Sequence, residues 1–140
     1  MRPLNDMADE ATAVQAVLIV DNDLGFVWWL GDILNEAGRR SIPALSCGEA
    51  TVLIKRLGIE PDLIILNSSL DGASKLLENC IQTNRHLKIV TIGPPSKALG
   101  VSIQLNAILE RPSPSDPILR REWSEKLRNL LNHAEAANAG

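Results

Sequence analysis

The chain has 140 residues, 45% of them hydrophobic and 22% charged, which is too apolar for a disordered polymer and suits one domain with a single core. Fourteen Lys and Arg against seventeen Asp and Glu leave a formal charge of -3, with no basic run long enough to draw a phosphate backbone, so nucleic acid is not an expected partner. Cys47 and Cys80 are too few for a disulfide framework or a zinc site, and neither a signal peptide nor a membrane span is legible, so a reducing cytoplasm is the expected location.

Residues 1–14 read as a tail, and 15–134 as the domain. Residues 16–20, AVLIV, form an unbroken apolar run, the pattern of a strand covered on both faces. Over 25–37, Phe26, Val27, Leu30, Ile33, Leu34 and Ala37 share one helical stripe, and Gly38 supplies a terminator. A second strand is predicted at 41–45, then a helix over 49–57 bounded by Gly48 and by Gly58 with Pro61. A third strand at 62–66 precedes Gly72 and a helix over 73–84, and a fourth strand follows at 88–92. Residues 96–105 hold Gly100, Val101 and Ile103, poor helix formers together, so a short or irregular helix is expected there. After a fifth strand at 107–109, Ser115, Asp116 and Pro117 supply a cap and a first-turn proline for a last helix. Its apolar stripe is Trp123, Leu127, Leu130, Leu131 and Ala134, and residues 135–140 read as a second tail. Strand and helix thus alternate five times. With right-handed crossovers this gives a doubly wound, five-stranded parallel α/β sheet of flavodoxin-like (βα)5 type, strand order 2-1-3-4-5.

Ligands of such sheets bind beyond the carboxyl ends of the strands where the order reverses. The residues there are Asp21-Asn22-Asp23, Asn67-Ser68-Ser69, Gly93-Pro94-Pro95 and Arg111-Pro112. The segments VLIVDND, PDLIILNSSLDG, KIVTIGPP and AILERP, in that order and at those separations, resemble the four signatures of the receiver domain of bacterial two-component response regulators, over residues 15–133. The resemblance implies an acidic pair after the first strand that helps hold Mg²⁺, a phosphorylated aspartate at the end of the third, a Thr or Ser after the fourth and a Lys-Pro after the fifth. This chain departs from that pattern. Asp21 fills the first acidic position but Asn22 the second; Asn67 stands where the aspartate is phosphorylated, with Ser69 two residues on. Gly93 replaces the hydroxyl and Arg111 the lysine.

An amide oxygen is neutral and a poor nucleophile, so no acyl phosphate is expected at Asn67. Mg²⁺ prefers carboxylate oxygens, and amides at two of those positions argue against tight binding. No metal or other cofactor is therefore expected. Arg111 keeps the positive charge as a planar fork able to bond Asp21 or the Asn67 amide, and the resemblance raises a cis Arg111-Pro112 bond. Asp23 or Asp71 as a substitute acceptor, or deamidation of Asn67, would each still need the metal. Asp71 with Gly72 otherwise makes an ordinary turn. The aromatic switch partner that the resemblance implies on strand five is replaced by Ile108.

About 160° around the first helix from Leu30, Trp28 is predicted to be exposed, as a partner anchor or as a cover for a neighbouring loop or helix. His86 and His133 fall in a loop and at a helix end, where solvated roles suffice. The expected function is a stand-alone, phosphorylation-independent interaction module of two-component signalling. It would dock on a histidine kinase, a phosphotransfer protein, another receiver or a second copy, with Trp28 and Ile108 as surface candidates. Two other readings stay open: a working phosphorelay receiver with an unorthodox acceptor, and an enzyme or small-ligand binder on the same fold. Against an enzyme, no Gly-rich phosphate loop follows the first strand, and no nucleophile, base and orienting group assemble from these loops.

Overall fold

The computed structural model describes residues 16–93, 105–110 and 117–139. Five parallel strands, β1 (Ala16–Val20), β2 (Arg40–Ala44), β3 (Leu63–Leu66), β4 (Lys88–Ile92) and β5 (Ala107–Leu109), form one sheet in the order β2-β1-β3-β4-β5. The order reverses at β1, as the alternating pattern predicts. The expected helix over 96–105, the Ser115-Asp116 cap, Arg111-Pro112 and Pro94-Pro95 fall at least in part outside the described residues, as does the tail 1–14.

Four helices cover the two faces among the described residues. α1 (Leu24–Glu36) and α4 (Pro117–Ala139) pack on the face bearing Val17, Ile19, Leu63, Ile65 and Val90. α2 (Cys47–Leu57) and α3 (Ala73–Thr83) cover the opposite face, with Leu18, Val20, Ile64, Leu66 and Ile89. β1 and β3 are buried at every position because successive side chains feed alternate cores.

Several boundaries differ from the sequence reading by a residue, and three of the differences have a local cause. β2 begins one residue earlier, at Arg40, because Ile42 and Ala44 are the buried pair and Leu45 already lies in the turn. α2 begins at Cys47 rather than after Gly48. Ser46 is its N-cap, its Oγ accepting from Glu49 N–H at 3.0 Å, while Glu49 Oε1 accepts from Leu45 N–H at 3.3 Å. This is a variant of the Ser-x-x-Glu capping box, strong enough to carry Gly48 inside the helix. α4 runs on to Ala139 through residues read as a tail, since Ala and Glu favour helix without tertiary contacts.

α1 ends as Gly38 implied. Gly38 takes φ +75°, its N–H donates to Asn35 O and Arg39 N–H donates to Leu34 O, the pair of bonds that closes a Schellman motif. α1 and α4 are locked together by aromatic rings. Trp123, buried on the predicted stripe of α4, meets Phe26 edge-on at 5.4 Å and Trp29 at 6.2 Å, and its Nε1–H donates to Glu110 O at 2.9 Å. The Arg120 guanidinium lies 5.8 Å from the Trp29 ring centre and pairs with Glu36 at 3.3 Å, an exposed ion pair of small worth beside the rings. Leu127 is buried and Leu130 partly so; the side chains of Leu131, His133 and Ala134 lie outside the described residues.

β2 is an edge strand, and its edge is closed chemically. Asp21 N–H donates to Ala44 O, so Arg40, Ile42 and Ala44 turn their backbone groups toward β1. Ser41, Pro43 and Leu45 face outward. Pro43 has no N–H and the Leu45 N–H is taken by Glu49, which leaves Ser41 as the outward donor of the three. Cys47 and Cys80 are buried free thiols; burial raises both, Cys80 to about 11, and the charge of Asp71 adds to the effect at Cys47.

Candidate functional site

The carboxyl ends of β1 and β3 bring Asp21 and Asn67 side by side. Asn67 N–H donates to Val20 O, extending the ladder one residue past β3. Asp21 is completely buried, with Oδ1 accepting from Asn67 Nδ2 at 3.1 Å. The other end of the same amide is occupied too: Asn67 Oδ1 accepts from Ser69 N–H at 3.0 Å and from the Ser69 hydroxyl at 2.6 Å. The first of these closes an Asx turn over the loop after β3. Asn67 is thus clamped through both polar atoms, its N–H₂ toward the buried carboxylate and its oxygen toward the loop. An aspartate could not make this arrangement while ionised, because it has no donor to offer Asp21.

The remaining candidates sit around this pair. Asn22 is exposed. Asp23 is the N-cap of α1, with Oδ1 accepting from Phe26 N–H at 3.2 Å. Asp71 is exposed in a turn with Gly72, which takes φ +83°. Gly93 follows β4, donates its N–H to Leu109 O at 2.7 Å and takes φ +75°. A left-handed residue here disfavours any side chain, so the position that the resemblance gives to a hydroxyl has a backbone suited to glycine. Gly93→Thr should lower stability by about 1–2 kcal/mol in a urea titration rather than rebuild a switch. An unchanged midpoint would refute the backbone argument.

Thr91, which the sequence reading passed over, is fully buried two residues earlier, with its hydroxyl donating to Gly93 O at 3.4 Å. Ile108, paired with Thr91 across β4 and β5, is 51% exposed, and Trp28 on α1 is 69% exposed. Arg111 lies outside the described residues, so its expected bond to Asp21 or Asn67 stays an expectation.

The fit of a divalent cation is decided by the donor set. At this site Asp21 supplies the carboxylate, and one of its oxygens is held by an amide. The neighbouring acidic side chain, Asp23, turns one oxygen to the helix start. Among the described residues no three of His, Cys, Asp and Glu converge on a common point. Mg²⁺ is ordinarily held by one or two carboxylates and several waters, and with an oxygen of Asp21 and one of Asp23 each engaged within the protein these residues fit that shell poorly.

No protein-family model matches the sequence, and no curated protein matches it. Solved structures do. A response regulator receiver domain protein (CheY-like) from Methanospirillum hungatei JF-1 is 21% identical, with a TM-score of 0.70 over 89% of this chain and 98% of that one. The signal receiver domain of an HD domain-containing protein from Pseudomonas fluorescens Pf-5 is 20% identical, with a TM-score of 0.69 over 91% and 93%. A response regulator receiver domain protein from Clostridium thermocellum is 14% identical, with a TM-score of 0.67 over 89% and 99%. Likeness at these identities speaks for architecture, and it agrees with the sheet order: the chain has the fold of a CheY-like response-regulator receiver domain.

Proposed function

We propose that this chain is a non-enzymatic, phosphorylation-independent interaction module of two-component signalling, acting in the cytoplasm. What carries the reading is the clamped amide of Asn67, which stands at the acceptor position and bonds Asp21 with one end and Ser69 with the other. A phosphoryl acceptor needs an anionic oxygen free to attack in line, with cationic or donor groups around the equatorial oxygens. Here the position has no anionic oxygen, and its neutral one already accepts two bonds. Partners in this reading are a histidine kinase, a phosphotransfer protein, another receiver or a second copy, met through the exposed Trp28 or Ile108.

Incubation with a small acyl-phosphate donor and Mg²⁺, followed by intact-mass measurement, tests it. The mass should stay unchanged. A base-labile phosphate adduct would overturn the reading and favour a relay receiver with an unorthodox acceptor, with Asp71 and Asp23 as the first positions to map.

A further inference from the structure

Between α1 and the outer edge of β2 runs an open groove of about 530 Å³. We propose that a second copy of this chain docks there, face to face, in a two-fold dimer built on α1 and the β2 edge.

The layout of the groove follows from the topology. β1 and β2 are parallel, so α1, which joins them, runs the opposite way and lies beside β2 with Leu24 near Leu45 and Asn35 near Arg40. The lengths agree: Leu24 to Asn35 along the helix and Arg40 to Leu45 along the strand are each about 17 Å. The Leu45 end carries Glu49, and the other end carries Arg39 and Arg40. Trp28, 69% exposed, stands about 2 Å to one side of the midpoint along α1 and Gly31 about 2 Å to the other, so a ridge and a notch adjoin. Asp32 follows Gly31 in the lining.

Three observations name the occupant. The first is symmetry. A two-fold axis lying across the groove at its midpoint exchanges the two ends. It sets Glu49 of each copy against Arg40 of the other and Trp28 against the notch at Gly31. It also brings Asp32 beside Trp28 of the second copy, where a carboxylate is an acceptor for the indole N–H. The second is charge. The lining holds two acids, Asp32 and Glu49, and two bases, Arg39 and Arg40. A partner of one sign would gain at some of these and lose at the others, whereas a second copy brings the complement of both. The third is the closed edge of β2. Pro43 lacks an N–H and the Leu45 N–H is bonded to Glu49, so two copies have no ladder along which to join their sheets and meet through side chains instead. Pro43 then lies close to the axis with Trp28, apolar surface on apolar surface. A strip one helix and one strand wide is smaller than a standard interface, and a dissociation constant of about 0.1–1 mM is expected. The dimer rests on the interaction-module reading for Trp28 as a docking residue; a phosphate adduct would sink that reading without touching association, and a monomer in the test below would sink the dimer alone.

The test uses the whole chain. Sedimentation equilibrium up to about 1 mM should show monomer and dimer in exchange. Dilution of isotope-labelled protein should shift the amide peaks of Trp28, Gly31, Asp32 and Arg40, while Ile108, on the far edge of the sheet, stays fixed. A monomer throughout, or shifts centred on Ile108, overturns the proposal, and neither measurement needs a variant. Arg40→Glu and Glu49→Lys, each checked for folding by circular dichroism, should weaken association about tenfold, since an exposed pair is worth little singly but here occurs twice and is turned repulsive. Mixed in equal amounts, the two variants should associate about as tightly as the parent, because the reversed ends then face each other with opposite charge. Unchanged association of either variant alone, or a mixture that associates no better than its components, overturns the pairing. Glu49→Gln, which keeps an acceptor for the Leu45 N–H, serves where Glu49→Lys disturbs the start of α2: it should weaken association about threefold, and no change overturns the proposal.

Discussion

Asn67→Asp, which puts a carboxylate at the position that the proposed function compares with a phosphoryl acceptor, is expected to destabilise this domain by about 2–3 kcal/mol at neutral pH. The change replaces the Nδ2 donor, 3.1 Å from the buried Asp21, by a second carboxylate oxygen. One hydrogen bond is lost and a second charge is set beside the fully buried Asp21, at a position that is itself partly open to water. The sign of the pH dependence follows. The carboxyl introduced at 67 has its folded-state pKa raised by Asp21 above the ordinary value near 4. The penalty is therefore full above that raised value and fades as the pH falls through it. Urea titrations of the variant and the parent at pH 7 and pH 5 measure this, and equal stability at both would sink the account of the clamp. Asn22→Asp combined with Asn67→Asp rebuilds a carboxylate cluster, and Mg²⁺ should raise the midpoint of that variant while leaving the parent unmoved.

The second large effect is expected at the junction of α1 and α4. Trp123→Ala removes the ring against which Phe26 and Trp29 pack and orphans the Glu110 carbonyl, a loss of about 3–5 kcal/mol. Trp123→Phe keeps most of the packing and loses the bond to Glu110, for about 1–2 kcal/mol. Denaturant midpoints give both values, and the near-ultraviolet circular dichroism should collapse for Trp123→Ala alone. A cost for Trp123→Ala below about 1 kcal/mol would show that the rings touch without contributing.

Much of this architecture was legible in the residues. The unbroken runs AVLIV and LIIL state that two strands are covered on both faces, and β1 and β3 are the strands at which the sheet order turns. Trp28 and Trp29, adjacent in sequence, separate by the helical period into an exposed and a half-covered ring. What stayed hidden was set by interactions that periodicity does not report. Gly48 reads as a breaker, yet the Ser46 cap on Glu49 N–H and the Glu49 carboxylate on Leu45 N–H start α2 before it. The replacement of Asn67 could be read as a loss, but the clamp could not, because it joins residues 46 positions apart to a loop that had first to fold. Gly93 reads in the sequence as a missing hydroxyl, and its positive φ, which no pattern of residues announces, shows a backbone that suits glycine.

The ring cluster under α1 has one more consequence. Phe26 and Trp29 are fixed against α4 on the inner side of the helix, so α1 cannot roll about its own axis without breaking both contacts. Trp28 stands on that helix one residue from Trp29, and the direction in which it projects is set before any partner arrives. In the docking role proposed for Trp28, the backbone share of its alignment entropy is already lost in folding, while the torsions of its own exposed side chain remain to be ordered on encounter.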